Sequence, residues 1–270
     1  MSRGTENKVE GSVANIKNVC YNIKKLNFLR TEGEGLSGEK KYRHEYKYII
    51  SGCCYHILRG RLKAAMKPDP HGKNGVYRIS SLYFDDIYRT AYNDKIMGLD
   101  VRKKYRIRFY GLSADYIRLE VKEKKGDMVC KRSVPLSREE YDAIISGDRR
   151  FLGEERFLDT AGEEFYLSDR TVMLSPSVLV DYVREAYICA AGNVRITFDM
   201  SLKTSAELDV IGGKPDFYNV FDNGGIILEV KYDSFIPMYI QELLSGVPLN
   251  RESVSKFVLC ADKKLEVNKK

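Results

Sequence analysis

The chain has 270 residues, enough for one large domain or two small ones, and its 43% hydrophobic and 31% charged residues are typical of a globular protein. Its 45 Lys and Arg outnumber 38 Asp and Glu, and the net charge of +7 suits an anionic ligand, a nucleic acid or an acidic membrane surface. No apolar run is long enough for a membrane span, and neither the cysteines nor the histidines have the spacing of a soft-metal site. Without a signal peptide, the sequence predicts a reduced, cytoplasmic protein.

Residues 1–38 are predicted to form a flexible arm and linker, followed by a domain over 39–264 and a tail over 265–270. The stretch MSRGTENKVEG is polar and TEGEGLSGE is rich in glycine, and both compositions are typical of disordered segments. Between them, IKNVCYNIKKLNFLR has the pattern of a short basic amphipathic segment. It would either contact a partner or a membrane, or form a loosely packed extension.

From Tyr42 onward, alternating residues predict eight strands: YRHEYKYII, VYRISSLYF, KKYRIRFYG, YIRLEVKEK, MVCKRSVPL, SVLVDYVREAY, VRITFD and IILEVKYDS. The predicted helices are YHILRGRLKAAMK, DIYRTAYNDKIMG, REEYDAIISG, EEFYLSDRTVML and MYIQELLSG, the third with a Ser137–Glu140 capping box. Asp85 and Asp86 are expected to cap the second helix. The connections GLSAD and KKGD are too short for crossovers, so the sequence predicts one α+β domain built on a large antiparallel sheet.

Each predicted strand carries its charge on one face, because a strand spacing of i, i+2 places side chains about 6.5–7 Å apart on one side of a sheet. The residues on these faces are Glu45, Lys47, Lys104, Arg106, Arg108, Arg118, Glu120, Lys122, Lys124, Lys131, Tyr182, Arg184, Arg195, Thr197, Asp199, Glu229, Lys231 and Asp233. One interpretation is that they form the solvent face of an ordinary antiparallel sheet.

A second interpretation is a closed barrel whose charged faces line a lumen. The opposite faces are apolar, as at Ile107 and Phe109, which suits strands covered outside by helices. Cations crowded into a lumen repel one another and lose hydration, so a polyanion is the expected occupant. Glu45, Glu120 and Glu229 could pair with the cations or hold a hard divalent metal. An oligophosphate with Mg²⁺ or Mn²⁺ fits, whereas nucleic acid is not expected because a closed tunnel excludes a duplex.

Nine motifs occur in an order that is characteristic of a known family: YRHEYKYII, SLYFDD, YRIRFY, LEVKEK, VCKRSVPLS, VDYVREAY, VRITFD, LEVKY and SVSKFVLC. Over about residues 39–264 the chain resembles the vacuolar transporter chaperone (VTC) domain, a polyphosphate polymerase of the triphosphate tunnel metalloenzyme superfamily, related to CYTH proteins. The resemblance implies an eight-stranded antiparallel β-barrel, or tunnel, with helices packed outside. It also implies a nucleoside triphosphate bound by basic residues, and Mn²⁺ or Mg²⁺ bound by a glutamate.

By this resemblance the metal ligand is Glu229 of LEVKY. The residues expected to act on the reacting phosphates are Arg106, Arg108, Arg184, Arg195 and Lys256; those expected to bind substrate are Lys47, Lys122, Lys131, Tyr182 and Ser255, with Lys231 and Glu120 as further candidates. This chain has Ser253 where the fungal pattern has lysine, which puts one phosphate contact in doubt. No phosphate-sensing SPX domain or membrane helix accompanies the motifs, which implies a stand-alone bacterial form.

The implied reaction is transfer of the γ-phosphoryl group of ATP to a growing inorganic polyphosphate chain, and positioning and charge neutralisation supply most of such catalysis. The sequence contains no P-loop, G-x-S-x-G motif or catalytic Cys–His pattern. The alternatives are a tunnel triphosphatase or polyphosphatase, a non-catalytic polyphosphate- or nucleotide-binding module, and an RNA-binding β-protein. ATP and polyphosphate are the expected partners. A separate membrane protein is a further candidate partner that would hold the cytoplasmic protein at a membrane.

Overall fold

The computed structural model describes residues 41–208, 211 and 213–269, so the predictions for residues 1–38 lie outside the described part of the chain. The strands are β1 (Tyr42–Ile50), β2 (Lys67–Pro68), β3 (Val76–Asp85), β4 (Val101–Tyr110), β5 (Ile117–Lys125), β6 (Met128–Leu136), β7 (Ser175–Cys189), β8 (Val194–Thr204), β9 (Tyr218–Asn219) and β10 (Ile226–Tyr232). The α-helices are α1 (Gly52–Ala65), α2 (Thr90–Ile96), α3 (Arg138–Ser146), α4 (Ala161–Val172), α5 (Met238–Leu244) and α6 (Lys256–Val267). Short 3₁₀ segments cover Arg150–Gly153, Glu155–Phe157 and Ala191–Asn193.

Eight strands close into a ring. Hydrogen-bonded neighbours follow the order β7, β3, β4, β5, β6, β1, β10 and β8, and β8 pairs back with β7. Every pair in the ring is antiparallel. The two-residue strands β2 and β9 pair with β7 and β8. This arrangement confirms the predicted α+β class and the closed eight-stranded antiparallel sheet.

Two hydrophobic clusters cover the outside of the ring. In one, Tyr141 of α3 and Phe165 of α4 pack with the outward residues Ile107 and Leu119 of β4 and β5. In the other, α1 and α5 pack over β8 and β10, whose outward residues include Phe198. In each of these strands apolar residues alternate with residues that are mostly charged. Burying the apolar set under helices therefore directs the charged set inward.

The helix termini use the capping groups that the sequence indicates. Ser137 and Glu140 form the complete capping box at the start of α3, as predicted. Asp85 accepts hydrogen bonds from the backbone N–H groups of Ala91 and Tyr92 at 2.9 and 3.1 Å, so it caps α2 as expected. Asp86 accepts hydrogen bonds from the N–H groups of Tyr88 and of Thr90, the first residue of α2.

Helix α6 was not among the predicted helices. It extends from Lys256 to Val267, three residues into the segment predicted as a tail. Its Phe257 packs with Tyr83, Val180 and Ile227, whose side chains face the inside of the ring. The start of α6 is therefore in contact with the inner face, whereas the two outer clusters contain α1, α3, α4 and α5.

Candidate functional site

The charged faces of the strands all point into the ring. Directly opposite residues on antiparallel neighbours lie on the same side of a sheet. The register pairs Arg106 with Glu120, Lys47 with Glu229, and Arg184 with Asp199. The interpretation of these faces as an ordinary solvent face is therefore wrong, because ring closure and the outer helices leave them lining the interior.

Glu120 is the centre of the first group of charges. Its side chain is fully buried; Arg106 Nε donates to Oε2 at 2.7 Å, and Arg108 and Lys131 lie 3.5 and 3.3 Å from Oε1. Burial alone would raise the pKa of Glu120, but the three cations outweigh it and hold this pKa well below its ordinary value. Arg106 also donates to the hydroxyl of Tyr83 at 2.7 Å. Sequence analysis missed this inward Tyr83, although the alternation in VYRISSLYF gives the signal.

Glu45 and Glu229 form the second group, and they share lysines. Lys47 lies 2.9 Å from Glu45 and 3.8 Å from Glu229, and Lys231 lies 3.5 Å from Glu45 and 2.6 Å from Glu229. Lys122 donates to both oxygens of Glu45 at 2.8 and 2.9 Å. Burial raises the pKa of Glu229, but the surrounding lysines hold it well below its ordinary value. For Lys122 burial dominates, and its pKa falls to about 7.

Asp199 anchors the third group. Arg184 makes a bidentate pair with it at 2.6 and 2.8 Å, and Lys256 lies 2.5 Å from Asp199 and 3.6 Å from Glu229. The ring of Tyr182 lies under both cations, with its centroid 5.3 Å from the Arg184 guanidinium and 5.1 Å from Lys256 Nζ. Burial lowers the pKa of Lys256, but the negative charges of Asp199 and Glu229 raise it by more. The pKa of Lys256 therefore lies above its ordinary value.

Arg195 interacts with a different set of residues. Its guanidinium lies 2.6 Å from Asp69 and donates to the hydroxyl of Tyr77 at 2.5 Å, and Asp69 also lies 2.5 Å from Nδ1 of His71. Asp69 belongs to the connection between β2 and β3, where no strand alternation marks it. Sequence analysis therefore could not have found this partner.

Ser255 and Ser253 precede α6 and contact two lysines. Ser255 Oγ caps the helix through the N–H of Val258 at 3.4 Å and accepts from Lys104 at 2.8 Å. Ser253, where the sequence puts one phosphate contact in doubt, accepts from Lys95 of α2 at 2.6 Å. An ammonium group is therefore present beside Ser253, supplied by a helix that sequence analysis did not connect with the site.

A divalent metal would take its protein ligands from the carboxylates inside the ring. Among the described residues, no group of three or more His, Cys, Asp or Glu side chains could hold a metal ion. Mg²⁺ in phosphate-binding sites needs only one or two carboxylates and takes the remaining ligands from phosphates and water. The buried Glu229 would fit that role, and Lys231, 2.6 Å away, is the cation that would have to leave this carboxylate.

The VTC domain family matches residues 42–263, which covers the whole ring and most of α6. The chain belongs to this family. No curated protein matches it. Of the described residues, none form a helix with the length and apolarity needed to cross a membrane. The expected cytoplasmic location and separate membrane partner stay predictions.

Several solved structures are similar to the chain. A proposed adenylyl cyclase from Hippeastrum with a dominant triphosphatase activity has 14% identity and a TM-score of 0.47, covering 83% of this chain and 96% of that one. A proposed adenylate cyclase from Bacillus halodurans has 14% identity and a TM-score of 0.47, covering 78% and 95%. The Mimivirus capping enzyme triphosphatase has 9% identity and a TM-score of 0.34, covering 76% and 87%. At these TM-scores, the three similarities carry no information about the function of this chain.

Proposed function

We propose that this protein is a polyphosphate polymerase that transfers the γ-phosphoryl group of ATP to the end of an inorganic polyphosphate chain. The observation that carries the proposal is the excess of cations over carboxylates inside a closed ring of strands. Buried cations without enough counter-charge are unfavourable in the free protein. A string of phosphates supplies the missing negative charge along the whole length of such a tunnel.

The arginines are already held in position before any substrate binds. Two nitrogens of Arg106 contact Oε2 of Glu120. Two nitrogens of Arg184 contact Oδ1 and Oδ2 of Asp199. Donors fixed in this way stabilise developing charge without reorganising during the reaction. Arg108, Arg195 and Lys256 are proposed to act with them on the transferring phosphoryl group.

The remaining predicted residues are proposed to bind the substrate phosphates: Lys47, Lys122, Lys131, Tyr182, Ser255 and Lys231. Glu120 is proposed to act through Arg106 and Arg108, because it holds both guanidinium groups. Mn²⁺ or Mg²⁺, when bound at Glu229, would neutralise negative charge on the substrate phosphates.

Transfer to phosphate is favoured over hydrolysis by the state of the inner carboxylates. Burial raises the pKa values of four inner carboxylates, but the lysines and arginines paired with them lower these pKa values by more. The pKa of each therefore lies below its ordinary value: Glu45, Glu120, Asp199 and Glu229. A carboxylate with a low pKa is a poor general base for water. A terminal phosphate of the acceptor is already anionic and needs no such base.

The test is incubation of the purified protein with ATP and Mn²⁺ or Mg²⁺, with and without a short polyphosphate primer, followed by a gel stained for polyphosphate. We expect a ladder, and we expect Glu229→Gln to lower its rate of formation by at least about 100-fold. The matched control is Glu242→Gln, which changes an exposed glutamate of α5. Orthophosphate release without a ladder would identify a tunnel hydrolase instead. Binding of ATP or polyphosphate with neither product would identify a binding module.

A further inference from the structure

A second cluster of cations lies beside the groups described above. It consists of Lys95 of α2, Arg102 and Lys104 of β4, and Lys124 of β5, and is called here the β4-start cluster. Arg102 and Lys124 are directly opposite in the register, and Lys104 is opposite Lys122. Lys95 and Lys104 donate to two serines of one segment, Ser253 and Ser255.

The β4-start cluster has no ion-paired carboxylate in the part of the chain that the structure describes, although Asp127 and Glu45 attract Lys124 without forming an ion pair with it. None of its four cations forms an ion pair there, whereas Arg106, Lys122 and Lys131 each pair with Glu45 or Glu120. Burial lowers the pKa of Lys104 well below its ordinary value, and its charged neighbours, Lys47, Lys122, Arg102 and Lys95, lower it further. Burial, followed by nearby cations, also lowers the pKa of Lys95, to about 8. Arg102 is buried and the three lysines are half-buried, and such a cluster of like charges is unfavourable unless a ligand neutralises it.

Space for a ligand adjoins Lys95 and the two serines that Lys95 and Lys104 contact. A cavity of about 350 Å³ is lined by Lys95, Ser253 and Ser255, together with the apolar Ile49 and Val254. Glu252 also contributes to the lining, but it makes no ion pair with the four cations. The two serine hydroxyls and the Lys95 ammonium group in this lining are donors that phosphate oxygens accept from, and Lys104 lies behind Ser255, to which it donates.

We propose that the β4-start cluster is a subsite for phosphate groups of the polyphosphate chain, separate from the triphosphate site around Glu229. The identity of the ligand rests on the proposed polymerase function. Arg102 and Lys104 precede Arg106 on the same inward face of β4, so a chain bound at Arg106 continues onto them at the spacing of alternate strand residues, about 7 Å. The subsite holds the part of the acceptor or product that lies outside the reacting phosphates.

Calorimetric titration with tripolyphosphate and with long-chain polyphosphate, without ATP, tests the proposal. For Lys104→Met we expect long-chain affinity to fall about tenfold and tripolyphosphate affinity to change less than about twofold. Lys95→Met is expected to show the same selective loss to a smaller degree. The matched control is Lys63→Met, an exposed lysine at the end of α1 that leaves both affinities unchanged. Equal losses for both ligands, or no loss for the long chain, would overturn the subsite.

A relocated ammonium group provides a second test. Lys95 Nζ lies 2.6 Å from Ser253 Oγ, so a lysine placed at position 253 reaches the same point from the α6 side. We expect Lys95→Met with Ser253→Lys to recover long-chain affinity lost in Lys95→Met alone. Absence of recovery in a double variant that unfolds at the wild-type temperature would contradict a direct phosphate contact.

These binding measurements are independent of catalysis. If no ladder forms but the affinity for long-chain polyphosphate still depends on Lys104, the subsite stands and the polymerase proposal fails. If a ladder forms and long-chain binding is insensitive to Lys104 and Lys95, the subsite fails and the polymerase proposal stands.

Discussion

Two regions of the same inner face solve the problem of buried charge differently. Around Glu120 the cations have a carboxylate, and Arg106, Arg108 and Lys131 all lie within 3.5 Å of it. Around Lys104 the charges that most affect its pKa, those of Lys47, Lys122, Arg102 and Lys95, are all positive. In the first region a carboxylate offsets part of the positive charge when the chain folds, whereas in the second the offset is left to a ligand. The contrast indicates that strand register, rather than charge content alone, separates a network of paired charges from a group of cations without an ion-paired carboxylate.

The largest expected effect is a loss of stability in the paired region. Glu120→Gln leaves two buried guanidinium groups without their carboxylate, and we expect the free energy of unfolding to fall by about 3–5 kcal/mol. Urea denaturation at neutral pH measures it. Glu154→Gln is the matched control, because this glutamate is paired with Arg156 on the exposed surface and its loss is expected to have little effect.

The same variant gives a dependence on pH. Because the pKa of Glu120 is lowered on folding, its contribution is complete above its ordinary pKa of 4.5 and is lost as the pH falls through the folded value. The difference in the free energy of unfolding between wild type and Glu120→Gln should therefore become smaller at acid pH. A difference that is constant down to the acid transition would show that Glu120 stabilises the fold by shape rather than by charge.

A smaller effect of opposite sign is expected in the unpaired region. Lys104→Met removes a buried ammonium from among cations, and we expect the free energy of unfolding to rise by about 1 kcal/mol at neutral pH. The lowered folded pKa of Lys104 makes its protonated form unfavourable at every pH below 10.5, its ordinary pKa. The gain should therefore shrink as the pH rises towards that value. Thermal unfolding across this pH range measures the gain in stability. A destabilised Lys104→Met variant would show that Lys104 stabilises the fold, as the paired charges do.

The smallest effect concerns the boundary between the regions. Lys122 pairs with Glu45 on one side and is opposite Lys104 on the other, and burial lowers its pKa to about 7. Tripolyphosphate affinity should therefore fall a few-fold between about pH 6 and pH 8 as Lys122 loses its proton. Lys122→Arg stays charged throughout, so its affinity relative to wild type should rise with pH. A ratio independent of pH would mean that Lys122 does not meet the substrate.

Much of the arrangement could be predicted from residues that alternate along single strands. Arg106 and Arg108, Glu120 and Lys122 were assigned to one face because a strand has a period of two, and this local property needs no tertiary information. The eight strands followed from the same alternation, and short connections made neighbours antiparallel.

Contacts between distant segments could not be predicted in this way. Lys95 donates a hydrogen bond to Ser253, which is 158 positions away in the sequence. Arg195 pairs with Asp69, which lies in a connection where no strand alternation marks it. Helix α6 was also missed, and its Phe257 is buried against inner-facing residues instead of an outer sheet face.

Alternation along each strand is enough to establish which residues share a face and that these faces are charged. The tertiary structure decided that the faces point inward, because β8 pairs back with β7 and helices bury the opposite sides. It also decided which cations have carboxylates. Pairing depends on the register between strands and on segments brought in from elsewhere, and both are set by packing of the whole domain.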